Sequence, residues 1–77
     1  MSNYINKVKT IIAEKAGVDI SEVTNEAYFE EDLNVSEMEL NEIISEVEEA
    51  LHVDLTEEKD SIVSVGDLLD ALSEKLD

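Results

Sequence analysis

Apolar residues recur at helical spacing along almost the whole chain. Tyr4, Ile5, Val8, Ile11, Ile12 and Ala16 follow the i, i+3, i+4, i+7 rule, which predicts a first helix over about residues 3–16. Gly17 stands where a left-handed C-terminal cap is wanted. From Val18 to Val35 the periodicity lapses into a long loop, and loops of that length carry function or make short turns of their own. Ile20, Val23, Ala27, Phe29, Leu33 and Val35 supply it with apolar anchors.

A second helix opens at Ser36-Glu37-Met38-Glu39, a capping box with Ser36 as N-cap and Glu39 as the third helical residue. Its expected inward stripe is Met38, Leu40, Ile43, Ile44, Val47 and Leu51, with Glu37, Glu42, Glu46, Glu48 and Glu49 facing out. Thr56 is the expected cap of a short helical turn through Glu57, Glu58 and Lys59. Ser64 and Asp67 form a second capping box, which starts a last helix with Val65, Leu68, Leu69, Leu72 and Leu76 inward. With no period-2 strand, the pattern predicts an all-α four-helix bundle: three longer helices, one short third helix, and a long loop between the first two.

Length adds that residues 1–77 form one domain, since 77 residues leave no room for a second core, and no proline or low-complexity linker divides the chain. Charge narrows the partners. Twenty-one Asp and Glu against five Lys leave a net charge of -16, which repels nucleic-acid backbones and anionic lipid surfaces and favours partners with basic patches. Fifteen acidic residues and no basic one lie between Lys15 and Lys59, so folding is expected to respond to salt and divalent cations. The absence of cysteine removes disulfides, thiolate metal sites and cysteine nucleophiles together. No long apolar run or signal core is visible, so membrane insertion is not expected and a cytoplasmic location is.

The order of parts, together with particular runs of residues, resembles the acyl carrier protein family across nearly the whole chain. The matching runs are Val8-Lys9-Thr10-Ile11-Ile12, Gly17-Val18, Glu22-Val23-Thr24-Asn25-Glu26-Ala27 and Phe29-Glu30-Glu31-Asp32-Leu33. Glu42-Ile43-Ile44, Val47-Glu48-Glu49 and Ser64-Val65-Gly66-Asp67 follow. The resemblance implies a carrier whose phosphopantetheine arm holds an acyl chain as a thioester. It implies as partners biosynthetic enzymes with basic docking patches and a phosphopantetheinyl transferase.

In that family the arm is esterified to the serine of an Asp-Ser-Leu motif opening the second helix, where free N–H groups and the dipole suit a phosphodiester. Here those three slots hold Ser36-Glu37-Met38. Counted from Glu37, apolar residues fall at +1, +6, +7, +10 and +14, as the family's do. Counted from Ser36, glutamates fall at +1, +6 and +10, so the gapless register holds. Ser36 is therefore the candidate attachment residue, one position early, while Glu37 occupies the usual serine slot. The resemblance assigns partner binding to Glu37, Met38, Glu42, Glu46, Glu48 and Glu49.

Each of these residues also has an ordinary structural role. Ser36 and Glu39 suffice as a cap worth about 1 kcal/mol, and Glu37 in a first turn is favoured by the dipole by about 0.3–1 kcal/mol. His52 is the only histidine, too few ligands for zinc, and is expected at the surface or in a cap. Asp32-x-Asn34-x-Ser36 begins like a calcium loop but has Glu37 at the glycine position and Ile43 at the final glutamate position. No metal site, no catalytic group and no enzyme activity are expected. The reading is a monomeric acyl carrier whose core of Ile11, Phe29, Ile43, Ile44, Val47, Leu68 and Leu72 surrounds an apolar space for the tethered chain. The alternatives are an armless carrier-like module that binds a basic partner, and a plain structural bundle.

Overall fold

The structure, a computed structural model, describes residues 4–76. Three α-helices, α1 (Tyr4–Ala16), α2 (Glu37–Leu51) and α3 (Val65–Leu76), are accompanied by 3₁₀ turns at Ile20–Glu22 and Lys59–Ser61. The expected first helical residue, Asn3, lies outside the described residues.

Local chemistry sets the helix ends. Gly17 adopts φ +73° and closes α1 as its N–H, with that of Val18, donates to the Ala13 carbonyl at 2.9 and 3.1 Å. His52 ends α2 in the left-handed region, φ 58° and ψ 48°, its N–H donating to the Glu48 carbonyl, which is the cap role expected of it. At α3, the Asp67 N–H donates to Ser64 Oγ at 3.2 Å. Asp67 Oδ2 in turn accepts the N–H groups of Val63 and Ser64 at 3.0 and 3.2 Å. The predicted Ser64–Asp67 capping box is therefore present.

The short third helix is a single 3₁₀ turn, and Thr56 does not cap it. Asp54 organises this segment: Oδ1 accepts the Thr56 N–H at 3.0 Å and the Thr56 hydroxyl at 2.6 Å. The amides of Glu58 and Lys59 then donate to the Leu55 carbonyl at 3.0 and 2.9 Å. Asp54 sits one residue before the buried Leu55, where a short acceptor side chain turns the backbone earlier than a cap at Thr56 would.

The apolar anchors form one core with no buried polar or charged residue among the described residues. Val23, Ala27, Phe29, Leu33 and Val35 bring the long loop into it. Four residues expected inward are exposed instead: Ile5, Ile20, Met38 and Leu76. Met38, 73% exposed, shows why. At about 100° per residue it falls about 120° from Ile44, on the side of Glu42 and Glu49. Ile5 and Leu76 lie in the first turn of α1 and the last turn of α3, and Ile20 in a 3₁₀ turn.

The loop is stitched to the start of α3. Phe29 N–H donates to the Val63 carbonyl at 3.1 Å, Val65 N–H to Ala27 at 3.0 Å and Gly66 N–H to Asn25 at 2.9 Å. An isolated antiparallel bridge between Tyr28 and Ser64 marks the seam. Gly66 is required there, because a Cβ on it would lie 2.9 Å from the Asn25 carbonyl oxygen.

Candidate functional site

The start of α2 is held from both sides. Upstream, buried Val35 donates its N–H to the Phe29 carbonyl at 2.8 Å, fixing the end of the loop to the core. Ser36 follows as N-cap with extended backbone, φ -71° and ψ 166°. Its Oγ accepts the Glu39 N–H at 3.2 Å, its own N–H donates to Glu39 Oε1 at 3.0 Å, and its carbonyl accepts the Leu40 N–H at 2.8 Å. Glu37 is the first helical residue. The structure thus places Ser36 in the capping slot and Glu37 one step inside the helix, the register expected from the apolar spacing.

A phosphodiester at this terminus needs a hydroxyl, solvent access and helix amides. Ser36 supplies all three: it is exposed, and it opens a 15-residue helix whose first amides point at the junction. Glu37 has no hydroxyl, and its carboxylate adds negative charge where a phosphate would sit. The residues therefore fit the group at Ser36 and do not fit it at Glu37.

The six residues assigned to partner binding divide between two surfaces. Met38, Glu42, Glu46, Glu48 and Glu49 line a broad groove of 830 Å³ on the outer side of α2, bounded by Val53, Asp54 and Thr56. Glu37 instead lines a narrower cleft of 480 Å³ on the other side of α2, with Phe29, Val35, Leu40 and Ile62. Asn41 borders both. Of the seven core residues expected around a tethered chain, Phe29 alone lines that cleft; all seven are buried in the one core.

Two of the acidic residues hold the structure together as well as facing the groove. Glu48 is half-buried, and its Oε2 accepts the Leu55 N–H at 2.6 Å, tying α2 to the segment beyond the left-handed turn. It is thus not the freely solvated residue expected from helical spacing. Glu46 pairs with Lys15 of α1 at 3.5 Å. Nearby, the Thr56 hydroxyl and then the Thr56 N–H hold the exposed Asp54 carboxyl below its ordinary range. Among the described residues, no cluster of three or more His, Cys, Asp or Glu is arranged to hold a metal ion. No described helix is long and apolar enough to cross a membrane.

Sequence reasoning did not find Tyr28, Lys59, Asp60 and Val63 as cleft residues. They come from segments far apart in the chain, and no spacing links them.

No family model matches the chain. Over 71 residues, which are 91% of this chain and 88% of the relative, it is 41% identical to the acyl carrier protein of Rubrobacter xylanophilus. The chain belongs to the acyl carrier protein family. Members of the family are carriers rather than enzymes, and phosphopantetheine is their usual prosthetic group. At the start of α2, Ser36 is the N-cap and Glu37 the first helical residue.

Proposed function

We propose that this acyl carrier tethers and presents acyl intermediates of fatty-acid, lipid or related biosynthesis on a phosphopantetheine arm attached to Ser36, as a cytoplasmic monomer. The observation that carries the proposal is the exposed Ser36 hydroxyl, set at the N-terminus of α2 in a chain related to an acyl carrier over 91% of its length. When bound, the arm supplies a thiol that holds the cargo as a thioester.

The protein's own part is to position that arm and to be recognised. Ser36 Oγ provides the ester oxygen, and the fixed Val35 and the cap to Glu39 hold it at the helix end. The attachment point is shifted by one residue from the family position, from the first helical residue to the extended N-cap before it. Glu42, Glu46 and Glu49 present negative charge beside the exposed Met38, so basic patches of partner enzymes and of a transferase are steered to the outer face of α2.

A second reading rests on Glu37. Its carboxylate stands at the first helical position beside the cleft, while the Ser36 oxygen is already used as a cap. A carrier fold without an arm, binding a basic partner, would look the same.

Intact-protein mass before and after incubation with a broad-specificity phosphopantetheinyl transferase and coenzyme A separates the two. The carrier reading expects the mass of one arm, lost in Ser36→Ala. An unchanged mass, beside a standard carrier that is modified, supports the armless reading. An arm that persists in Ser36→Ala moves the attachment site elsewhere.

A further inference from the structure

The chain between α2 and α3 is tied to each helix through a carboxylate. On the α2 side, Glu48 Oε2 accepts the Leu55 N–H at 2.6 Å. On the α3 side, Lys75 Nζ lies 3.3 Å from Glu58 Oε2. Between this chain and α3 is a shallow cavity of 250 Å³, bordered by Glu57, Glu58 and Ile62 on one side and by Asp67, Asp70 and Glu74 on the other. Five carboxylates thus share one gap, and their mutual repulsion favours parting its walls. Lys75 is the only lysine or arginine in α3. The Thr56 hydroxyl and amide hold the Asp54 carboxyl low and the Lys75 charge adds to them, so one ammonium acts on both Asp54 and Glu58.

Glu58 differs from a freely solvated partner. Its Oε1 is buried without a hydrogen-bond partner, and its side chain is 26% exposed. A carboxylate placed in this way is costly once its cation is removed, whereas a fully solvated one is not. The backbone it belongs to is also weakly held. The amides of Glu58 and Lys59 donate to Leu55, that of Ser61 to Glu58 and that of Ile62 to Lys59, all within the same stretch. A single 3₁₀ turn has little stability of its own.

We propose that Lys75 is an electrostatic latch on the 3₁₀ turn: its pair with Glu58 holds residues 56–62 on α3 against the repulsion of the surrounding carboxylates. Broken, the pair lets this stretch open locally, between Leu55 and Val63, while α1 and α2 stay folded. Opening uncovers Ile62, which is 3% exposed when closed. The latch requires no arm on Ser36.

The test is amide hydrogen exchange followed by NMR at low ionic strength, read at Glu58, Lys59, Ser61 and Ile62. Lys75→Gln is expected to speed exchange at these amides by about threefold to tenfold, and by less than about twofold at Ile12 of α1 and Val47 of α2. Lys75→Arg, which keeps the charge, is expected to match the parent. Lys7→Gln makes the same change of net charge at an exposed position of α1 and is expected to leave the four amides within about twofold. With Lys75 gone only repulsion remains to be screened, so added salt is expected to slow the four amides in Lys75→Gln. In a Glu58→Gln background, Lys75→Gln is expected to have a smaller effect; an equal effect there would assign the lysine's action to other carboxylates and overturn the latch. Equal acceleration by Lys7→Gln would overturn it in favour of net charge alone. Acceleration spread evenly over α1 and α2 would show that the whole fold opens rather than this stretch, and unchanged rates in Lys75→Gln would show that the pair holds nothing; either result overturns the proposal.

Discussion

Ser36 and Glu39 cap each other: the Glu39 amide donates to Ser36 Oγ at 3.2 Å, and Glu39 Oε1 accepts the Ser36 amide at 3.0 Å. The side chain proposed to carry the arm is therefore also the one that starts α2. Ser36→Ala is expected to lower unfolding free energy by about 1 kcal/mol, read from urea denaturation, while Ser36→Asp, which keeps an acceptor, stays close to the parent. Equal losses in the two variants would mean that the side-chain acceptor at residue 36 is not the source of the stability lost.

The same pair isolates Glu37. With Ser36 already in the capping slot, a single Glu37→Ser substitution places a hydroxyl at the first helical position without disturbing the cap. This variant is expected to accept an arm at residue 37 from a broad-specificity transferase, as mapped by fragmentation of the modified protein. If it takes up no arm at residue 37, the surface the transferase reads has diverged beyond the motif.

Glu48 bridges seven residues to the Leu55 amide at 2.6 Å, in a partly buried setting. Glu48→Ala leaves that amide without its acceptor and is expected to cost about 1–2 kcal/mol. Glu48→Gln retains an oxygen and should lose clearly less. Glu49→Ala, one residue on and exposed, should be near neutral because it removes only a repelling charge. Thermal melts of the three variants decide the order.

Gly66 poses two opposing effects. Alanine in the first turn of a helix is favoured over glycine by up to about 1 kcal/mol. Against this, the new Cβ would lie 2.9 Å from the Asn25 carbonyl oxygen, which Gly66's own amide holds in place. Backbone has little freedom to yield, so the clash wins, and Gly66→Ala is expected to destabilise by about 1–3 kcal/mol. A melting temperature at or above the parent's would show that the loop seam moves freely.

The pH response of Asp54 has a definite sign. The Thr56 hydroxyl and amide depress its carboxyl, so its contribution to stability is present above the ordinary value of 3.8 and is lost as pH falls through the depressed one. An NMR titration of the Asp54 side chain should give a midpoint below 3.8, and Thr56→Val should raise it. An unmoved midpoint in Thr56→Val would remove the hydroxyl as its cause.

What was legible in the sequence is what short-range chemistry controls. Gly17, the Ser36–Glu39 box and the Ser64–Asp67 box mark their helix ends because each acts within four residues. The loop anchors Val23, Ala27, Phe29, Leu33 and Val35 could be named because large apolar residues in a polar stretch seek the core. Periodicity was less discriminating at Met38, which was placed in the inward stripe although helix rotation turns its side chain to solvent. Beyond its reach were the Glu48–Leu55 bond, which needs the left-handed turn at His52 to reverse the chain, and the Glu37 cleft. That cleft is assembled from the loop, α2 and the segment around Lys59–Val63, which only tertiary packing brings together.

The central claim is that this carrier bears its arm on Ser36, and the mass of the protein as cells make it tests that most directly. Isolated from its own source and fragmented, the chain is expected to carry one phosphopantetheine, free or acylated, on the peptide that contains Ser36 and on no other. A bare chain from cells whose other carriers are fully loaded would contradict the claim.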